Sequence, residues 1–208
     1  MSFEPLRTVT GVAAPLLRPN VDTDVIIRID RLVTKVADLA PFAFEAIRFN
    51  ADGSPNPEFV LNQERFAGAT ILIGGSNFGC GSSREPAVWA IASLGIRVVI
   101  APSFGDIFQS NCYRNGLLAI TLDERDVREL GECAATGEPV TVDLEAQQIS
   151  FRDRRWPFAI GATQRLVLIE GLDDFDLAMR DLDAISEWQQ KDRLVRGWAW
   201  TSVNQNPR

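Results

Sequence analysis

Three short apolar runs limit the folds that are open to this chain of 208 residues. They cover residues 70–73, 97–101 and 117–122, and each has the length of a buried strand and is too short for a buried helix. Between them, Pro86–Leu94 and Phe104–Tyr113 have the length and composition of helices. Because strands that alternate with helices are typical of a sheet covered by helices, the pattern predicts an α/β fold.

The sequence predicts further strands and a helix on either side of this alternation. Before it, the polar turn Asn20–Asp24 leads into Val25–Ile27, whose β-branched side chains predict a short strand. After it, Asp123–Ala135 carries apolar residues on one face and predicts a surface helix. Residues 140–144 and 148–151 predict two strands that pair across a turn.

The C-terminal part divides into a helix and a tail. Asp183–Arg193 is amphipathic and predicts a last helix, whereas the chain beyond residue 197 ends in Asn, Gln and Pro. Terminal segments that are not tied down are poorly ordered. We therefore expect one domain over residues 1–196 and a flexible tail over residues 197–208.

Charge and composition exclude several classes of function. The chain has 21 Lys and Arg against 28 Asp and Glu, so its formal net charge of −7 has the wrong sign for neutralising many phosphates. Its apolar runs fall far short of the roughly 20 residues that span a bilayer. Charged residues and prolines interrupt the first twenty residues, where a signal peptide needs an apolar stretch. We expect no nucleic acid, no membrane and a cytoplasmic location.

The chain has three cysteines and no histidine. The absence of histidine removes Ser–His and Cys–His nucleophile pairs and the commonest general base. Cys80, Cys112 and Cys133 lie 32 and 21 positions apart, so neither a disulfide framework nor a thiolate metal site on this chain is expected. We interpret Cys80 and Cys112 as small buried packing groups. Any catalysis must therefore use other side chains of this chain or groups that another chain supplies.

The segment Gly74–Pro86 combines residues that could bind an anion or activate a nucleophile. It follows a predicted strand, contains four glycines in its first eight residues and leads into a predicted helix. Ser82 to Glu85 matches a capping box, which would place these residues at a helix N-terminus that favours negative charge. Arg84 would add a planar cation that matches a carboxylate. A glycine turn with an ordinary helix cap and a solvated Arg84 fits the pattern equally well.

Five motifs occur along the chain in one order: Asn20–Asp24, Asp52–Asn62, Asn77–Glu85, Ala101–Phe108 and Asn111–Leu118. Together they resemble the small subunits of 3-isopropylmalate dehydratase, in the aconitase superfamily. Several long motifs in one order are far more specific than a single glycine loop. The resemblance implies a single swivelling β/β/α domain of the aconitase small-subunit type, which closes over an active site on a separate large subunit.

The resemblance also implies an activity. The expected function is that of a hydro-lyase that isomerises 2-isopropylmalate and 3-isopropylmalate in leucine biosynthesis. The large partner would carry a 4Fe-4S cluster with a Lewis-acidic iron for the substrate hydroxyl. This chain would bind no metal or cofactor itself, would meet a small anionic dicarboxylate, and would be active only with the large subunit.

Site residues follow from the same resemblance. Ser82 would be the base that removes a proton beside a carboxylate, and Arg84 would bind that carboxylate and stabilise the serine alkoxide. Ser83 would bind the same carboxylate or orient the base. Asp24 would lie near the site and orient an arginine or a water, although a turn-forming role fits it as well. Arg31 is a further candidate substrate ligand, which comes not from the resemblance but from a departure from the family pattern.

The sequence departs from the family pattern beside this site. Pro86 stands where the family commonly has histidine, and Arg28 stands where it commonly has proline. Leu32–Phe42 replaces a basic, glycine-containing loop that helps to choose the substrate, and Arg28 or Arg31 could replace the missing charge. Two other interpretations therefore stay open: the same chemistry on a methylmalate or methylcitrate type of substrate, and a non-catalytic binding relative.

Overall fold

A computed structural model describes residues 3–32, 38–82 and 84–200. In these ranges one mixed sheet has the strand order β4-β3-β2-β1-β5-β6-β7. Strands β1 to β4 run parallel, and β5 to β7 form an antiparallel meander on the other side of β1. The strands are Thr8–Leu16 (β1), Ile71–Gly74 (β2), Val98–Ala101 (β3), Leu118–Thr121 (β4), Pro139–Asp143 (β5), Gln148–Phe151 (β6) and Arg154–Pro157 (β7).

Helices connect and cover these strands, so the predicted α/β fold is confirmed. The helices are Thr23–Ile26 (α1), Ile29–Leu32 (α2), Glu45–Arg48 (α3), Glu85–Ser93 (α4), Asp106–Arg114 (α5), Glu124–Ala134 (α6), Ala162–Glu170 (α7), Asp174–Met179 (α8) and Leu182–Val195 (α9). The four helices predicted from the sequence correspond to α4, α5, α6 and α9. None of the helices in the described ranges is long and apolar enough to cross a membrane.

Parallel strands β2, β3 and β4 are buried on both faces of the sheet, which explains their continuous apolar sequences. Along β2, Leu72 packs into one core layer, and its neighbours Ile71 and Ile73 pack into the other. Helices α4 and α5 contribute to the first layer, and α6 and α7 contribute to the second. The alternation read from the sequence therefore reflects a sheet between two helical layers.

The strand predicted at Val25–Ile27 is wrong, because α1 occupies most of it. Asp22 caps this turn of helix, since its carboxylate accepts a hydrogen bond of 2.8 Å from the Val25 N–H. Ile26 is fully buried in the core. The cap and this burial override the β propensity of the run, and only Ile27 keeps an extended backbone.

The antiparallel meander confirms the pairing predicted for residues 140–144 and 148–151, which form β5 and β6. Strand β7 has no clear signal in the sequence, because Arg154 and Arg155 are exposed and only Trp156 is buried. A strand with a single apolar residue shows no alternation that sequence analysis could detect.

Helix α9 continues to Val195, and Trp200 packs back against it. The Trp200 indole donates a hydrogen bond of 2.8 Å to Asp192, and its ring centre lies 6.5 Å from that of Trp188. The domain boundary at residue 196 and the flexible tail stay predictions, since residues 201–208 lie outside the described ranges.

Candidate active site

Three loops meet at the carboxyl edge of the parallel strands. They are loop 1 (residues 18–22), the glycine loop (residues 75–84) and loop 3 (residues 102–105), and they follow β1, β2 and β3. Because these strands are adjacent and parallel, their carboxyl ends lie side by side. Open α/β sheets bind their ligands at this edge. The segment singled out from the sequence therefore lies where the fold favours a site.

Hydrogen bonds hold the first half of the glycine loop between its two neighbours. The Gly79 N–H donates to a carbonyl of loop 1 at 2.7 Å, and the Phe78 N–H donates to the Ser103 carbonyl at 3.0 Å. Asn77 bridges both sides: its side-chain amide donates to Asn20 Oδ1, and its backbone N–H donates to Ser103 Oγ, each at 2.8 Å. The loop thus continues the sheet in irregular form beyond the strand ends.

Gly79 is required by its surroundings. Its φ is +70°, and a Cβ at this position would lie 2.2 Å from the Phe108 ring. That ring packs in turn against Phe78 and Phe104, with ring centres 5.7 and 6.3 Å away. These three aromatic rings therefore pack against the glycine loop and leave no space for a side chain at position 79.

The second half of the glycine loop is held by side chains and carries Ser82 and Arg84. The buried Thr23 hydroxyl donates to the Ser82 carbonyl at 3.0 Å. The Arg84 guanidinium forms an ion pair with Asp24, so the structure brings together two residues that the sequence marked as candidates. Ser82 is exposed, and no other described residue forms a hydrogen bond with its hydroxyl.

The predicted capping box is wrong. Helix α4 begins at Glu85, so Arg84 occupies the N-cap position and forms no side-chain cap hydrogen bond. Ser82 lies two residues too early to cap this helix. Pro86 lies in the first turn of α4, where its missing N–H costs least, and the N-cap Arg84 is extended with φ −134° and ψ 97°. The Glu85 carboxylate instead accepts a hydrogen bond of 2.8 Å from Asn115.

Two further candidates are the predicted substrate ligands Ser83 and Arg31. Ser83 lies outside the described residues. Arg31, in α2, donates hydrogen bonds of 2.8 and 2.7 Å to Glu45, and its guanidinium lies 4.8 Å from the Phe42 ring centre. The Arg31 guanidinium lowers the pKa of the Glu45 carboxyl below its ordinary value through these hydrogen bonds.

The Arg31–Glu45 pair borders an open cavity of about 690 Å³, whose wall also includes Arg28 and Phe49. Helix α1 contacts both α3, which contributes Glu45, and α4, which follows the glycine loop. The cavity wall and the glycine loop therefore share α1 as a neighbour. Residues 33–37 of the divergent segment lie outside the described ranges.

The three cysteines do not converge on one centre. Cys112 is fully buried in the core layer on one face of the sheet, Cys133 packs against the layer on the opposite face, and Cys80 is half-buried in the glycine loop. Across residues 3–32, 38–82 and 84–200, no group of three or more acidic, Cys or His residues is placed to hold a metal. Burial raises the pKa of the Cys112 thiol well above its usual range, so it stays protonated. Cys112 is confirmed as a buried packing group, whereas Cys80 is only half-buried.

Comparison with known proteins agrees with this geometry. Residues 3–125 match the family model described as the aconitase C-terminal domain. The chain belongs to this family. The small subunit of 3-isopropylmalate dehydratase from Cupriavidus necator is 48% identical over 204 residues, which cover 94% of this chain and 98% of that one. The corresponding subunit from Rhodospirillum centenum is 46% identical over 201 residues, which cover 95% and 99%.

A solved structure, 3-isopropylmalate dehydratase from Methanocaldococcus jannaschii, superimposes with a TM-score of 0.62 at 27% identity. The superimposed region covers 86% of this chain and 99% of the solved one. These matches confirm the predicted small-subunit family, the aconitase-type α/β fold and the assignment to the hydro-lyases. A small subunit of this family implies a large-subunit partner.

Three residues that support the glycine loop were given no role by sequence analysis: Thr23, Asn77 and Asn115. Each lies within a motif that carries the family resemblance, which is the only signal that marks them. Their partners are distant in the chain, since 59 residues separate Thr23 from Ser82. Local patterns do not report contacts of this kind.

Proposed function

We propose that this chain is the small subunit of a dehydratase that interconverts 2-isopropylmalate and 3-isopropylmalate in the cytoplasm, together with a large iron–sulfur subunit. One observation carries the proposal: the Arg84–Asp24 pair and the exposed Ser82 lie together at the carboxyl edge of the sheet, in a chain of this family. The base and the carboxylate-binding group of the proposed reaction are thus on one loop.

Dehydration of a hydroxy-dicarboxylate breaks a C–H bond on one carbon and a C–O bond on its neighbour. In the proposed reaction the Ser82 alkoxide takes the proton from the carbon beside a carboxylate, and the C–H electron pair forms the double bond as the hydroxyl leaves. A free serine hydroxyl is too weak an acid to provide this alkoxide. The fixed positive charge of Arg84, two residues away, would stabilise it where water is excluded.

Arg84 suits both of its proposed roles. Its side chain is only 13% exposed, whereas Asp24 is 57% exposed, so the arginine is presented from a largely buried position. A guanidinium has five N–H donors, and the bond from one Nη to Asp24 leaves others for a substrate carboxylate. Asp24 would therefore orient Arg84 without saturating it. Ser83 and Arg31 remain proposed substrate ligands.

The rest of the chemistry is assigned to the partner. A 4Fe-4S cluster on the large subunit would supply a Lewis-acidic iron for the substrate hydroxyl. The three cysteines, all within the described residues, do not fit the cluster as ligands, because Cys112 is buried in one core layer and Cys133 packs against the layer on the opposite face of the sheet. What this chain contributes in the proposal is the base, the carboxylate ligand and the closing surface.

A second candidate is the same reaction on a methylmalate or methylcitrate type of substrate. The divergent segment Leu32–Phe42 and Arg28 favour it, because both lie where the family pattern sets the substrate. A difference of one or two methylenes changes discrimination by about 1–3 kcal/mol. A non-catalytic binding relative is the third interpretation, which rests on Pro86 alone.

The test is to reconstitute the chain with the large subunit of the same organism and to measure kcat/KM for the three substrate types. We expect the highest value for isopropylmalate, no turnover by the isolated chain, and no stoichiometric iron and sulfide on it. Each subunit assayed alone is the control. A higher value for a methylmalate supports the second candidate, and no turnover of any substrate by a cluster-loaded complex supports the third. Full turnover by this chain alone contradicts the division of roles.

A further inference from the structure

We propose that Asn115 is a positioning residue for the catalytic loop. Its side-chain amide holds the first turn of α4 and thereby the backbone of Arg84, which immediately precedes that helix. This inference rests on the proposed function, because it takes Arg84 as the carboxylate-binding group. It extends that proposal to the C-cap residue of α5, 30 positions along the chain from Glu85.

One amide connects two residues of α4. Asn115 Nδ2 donates to Glu85 Oε1 at 2.8 Å, and Asn115 Oδ1 accepts from the Trp89 indole N–H at 2.8 Å. Glu85 and Trp89 are four residues apart and therefore lie on the same face of the helix. The amide thus spans the first turn of α4, whose N-cap residue Arg84 forms no side-chain cap hydrogen bond.

The orientation of this amide is set by its partners. An indole N–H only donates and a carboxylate only accepts. A flipped amide would therefore place its NH2 group against the Trp89 N–H and its oxygen against the Glu85 carboxylate. Nδ2 also donates to the Asn111 carbonyl at 2.9 Å. The backbone N–H of Asn115 donates to the carbonyls of Asn111 and Cys112, and Cys112 is fully buried. The amide is therefore anchored on a rigid part of the core.

Attachment of α4 to the core does not depend on this amide. The helix is already anchored by four fully buried side chains: Ala87, Val88, Ala90 and Ile91. Glu85 and Trp89 lie on its exposed side, where Trp89 is 46% exposed. Their contact with Asn115 acts on the first turn, next to the catalytic loop. Arg84 is then held at two points, with Asp24 on its guanidinium and the Asn115 amide on the following residue.

A donor–acceptor swap tests the inference. Asn115→Asp keeps the shape and the acceptor for Trp89 but places a carboxylate against Glu85 and removes the hydrogen bond to the Asn111 carbonyl. In the complex with the large subunit, we expect kcat/KM to fall about 10- to 100-fold, as displacement of a binding group requires. Glu85→Gln alone should cost no more than about threefold, because its amide oxygen still accepts from Asn115. The double variant N115D/E85Q restores the pair with residue 85 but not the hydrogen bond to the Asn111 carbonyl, so kcat/KM should rise at least about threefold above that of N115D without reaching wild type.

The matched control is Gln148→Glu, which adds the same charge on exposed strand β6. The inference is overturned if N115D matches Q148E in kcat/KM, or if the double variant stays as low as N115D. A second measurement does not use activity: the Arg84 Nε–H signal in the 15N NMR spectrum of the isolated chain should shift in N115D and move back toward its wild-type position in N115D/E85Q. An unshifted Arg84 signal in N115D overturns the inference. An inactive wild-type complex with the expected NMR shifts would count only against the proposed function.

Discussion

The two halves of the glycine loop are held by different kinds of interaction. Residues 77–79 are fixed mainly through backbone groups, which donate to carbonyls of loop 1 and loop 3 on either side. In the second half, side chains from elsewhere hold Ser82 and Arg84, through the Thr23 hydroxyl and the Asp24 carboxylate. The Asn115 amide holds Glu85, the first residue of α4 after the loop. The first half behaves as an extension of the sheet, and the second half carries the groups proposed for chemistry.

Within the ten residues of the glycine loop, the contacts that determine stability are therefore distinct from those that determine activity. Backbone contacts do not depend on side-chain identity except where a Cβ finds no space, as at Gly79. Side-chain contacts can be altered one at a time without removing the loop. Substitutions in the first half should therefore act mainly on folding, and substitutions in the second half should act mainly on turnover.

The largest effect is expected at Ser82. Ser82→Ala should lower kcat by about 10³-fold, because loss of a general base costs on the order of 10²–10⁴. KM should stay close to wild type, since the group acts only in the transition state. Steady-state kinetics on complexes matched for iron content measure this, with Ser110→Ala on the exposed side of α5 as control. A near-normal kcat would move the base to Ser83 or to the large subunit.

Gly79→Ala should have the next largest effect, on stability. Its φ of +70° and the Phe108 ring 2.2 Å from the added Cβ both oppose the substitution. Left-handed strain costs about 1–2 kcal/mol and overpacking costs about 1–3 kcal/mol, so the free energy of unfolding should fall by about 3 kcal/mol. Urea unfolding of the isolated chain measures it.

Gly53→Ala is the matched control for that measurement, because Gly53 has φ +81° and a Cβ added there would have no heavy atom within 4 Å. It should lose only the strain of about 1 kcal/mol. Equal losses at the two glycines would mean that the three aromatic rings yield to the added methyl group, and the first half of the loop would be less rigid than its contacts indicate.

The same contrast explains what could be predicted from the sequence. Strands β2, β3 and β4 were predictable because burial on both faces makes each of them continuously apolar. The glycine loop was predictable as a segment because its residues are consecutive. The start of α4 at Glu85 was not predictable, because its N-cap residue Arg84 forms no side-chain cap hydrogen bond, whereas Ser82 to Glu85 matches a capping box that does not form.

Contacts between residues that are far apart in the chain could not be predicted from local sequence patterns. The meeting of Asp24 with Arg84 could be anticipated only through the family resemblance, since 60 residues separate them. Asn115 and Thr23 carry no local pattern that names their partners. At Val25 and Ile26 the local pattern was misleading, because β-branched residues that favour strands form a capped turn of helix over a buried position.

Arg84→Lys should have a smaller effect than Ser82→Ala. Lysine keeps the charge but loses the planar fork, and a hydrogen bond between charged groups is worth about 1.5–3 kcal/mol. We expect kcat/KM to fall about 10- to 100-fold, through a higher KM and a lower kcat. Asp24→Asn, whose amide oxygen can still accept from Arg84, should cost only about threefold in kcat/KM. A larger loss at Asp24 than at Arg84 would assign the carboxylate a direct role in the reaction.

The smallest effect is expected at Thr23, where a side chain supports the backbone of the catalytic serine. Thr23→Val removes the hydroxyl that donates to the Ser82 carbonyl but retains the buried shape and the backbone bond to Cys80. The free energy of unfolding should fall by about 1 kcal/mol, the usual net worth of one hydrogen bond. Because Ser82 is displaced as well, kcat should also fall severalfold while KM changes less.

Thr10→Val provides the control for this last substitution. It removes a hydroxyl that lies 3.0 Å from that of Thr141, between β1 and β5 on the antiparallel side of the sheet. Stability should change by a similar or smaller amount, and kcat should not change. Urea unfolding and steady-state kinetics of both variants decide the matter. If Thr23→Val lost stability without any loss of kcat, Thr23 would belong with the backbone contacts of the first half, and Ser82 would not depend on side-chain support for its position.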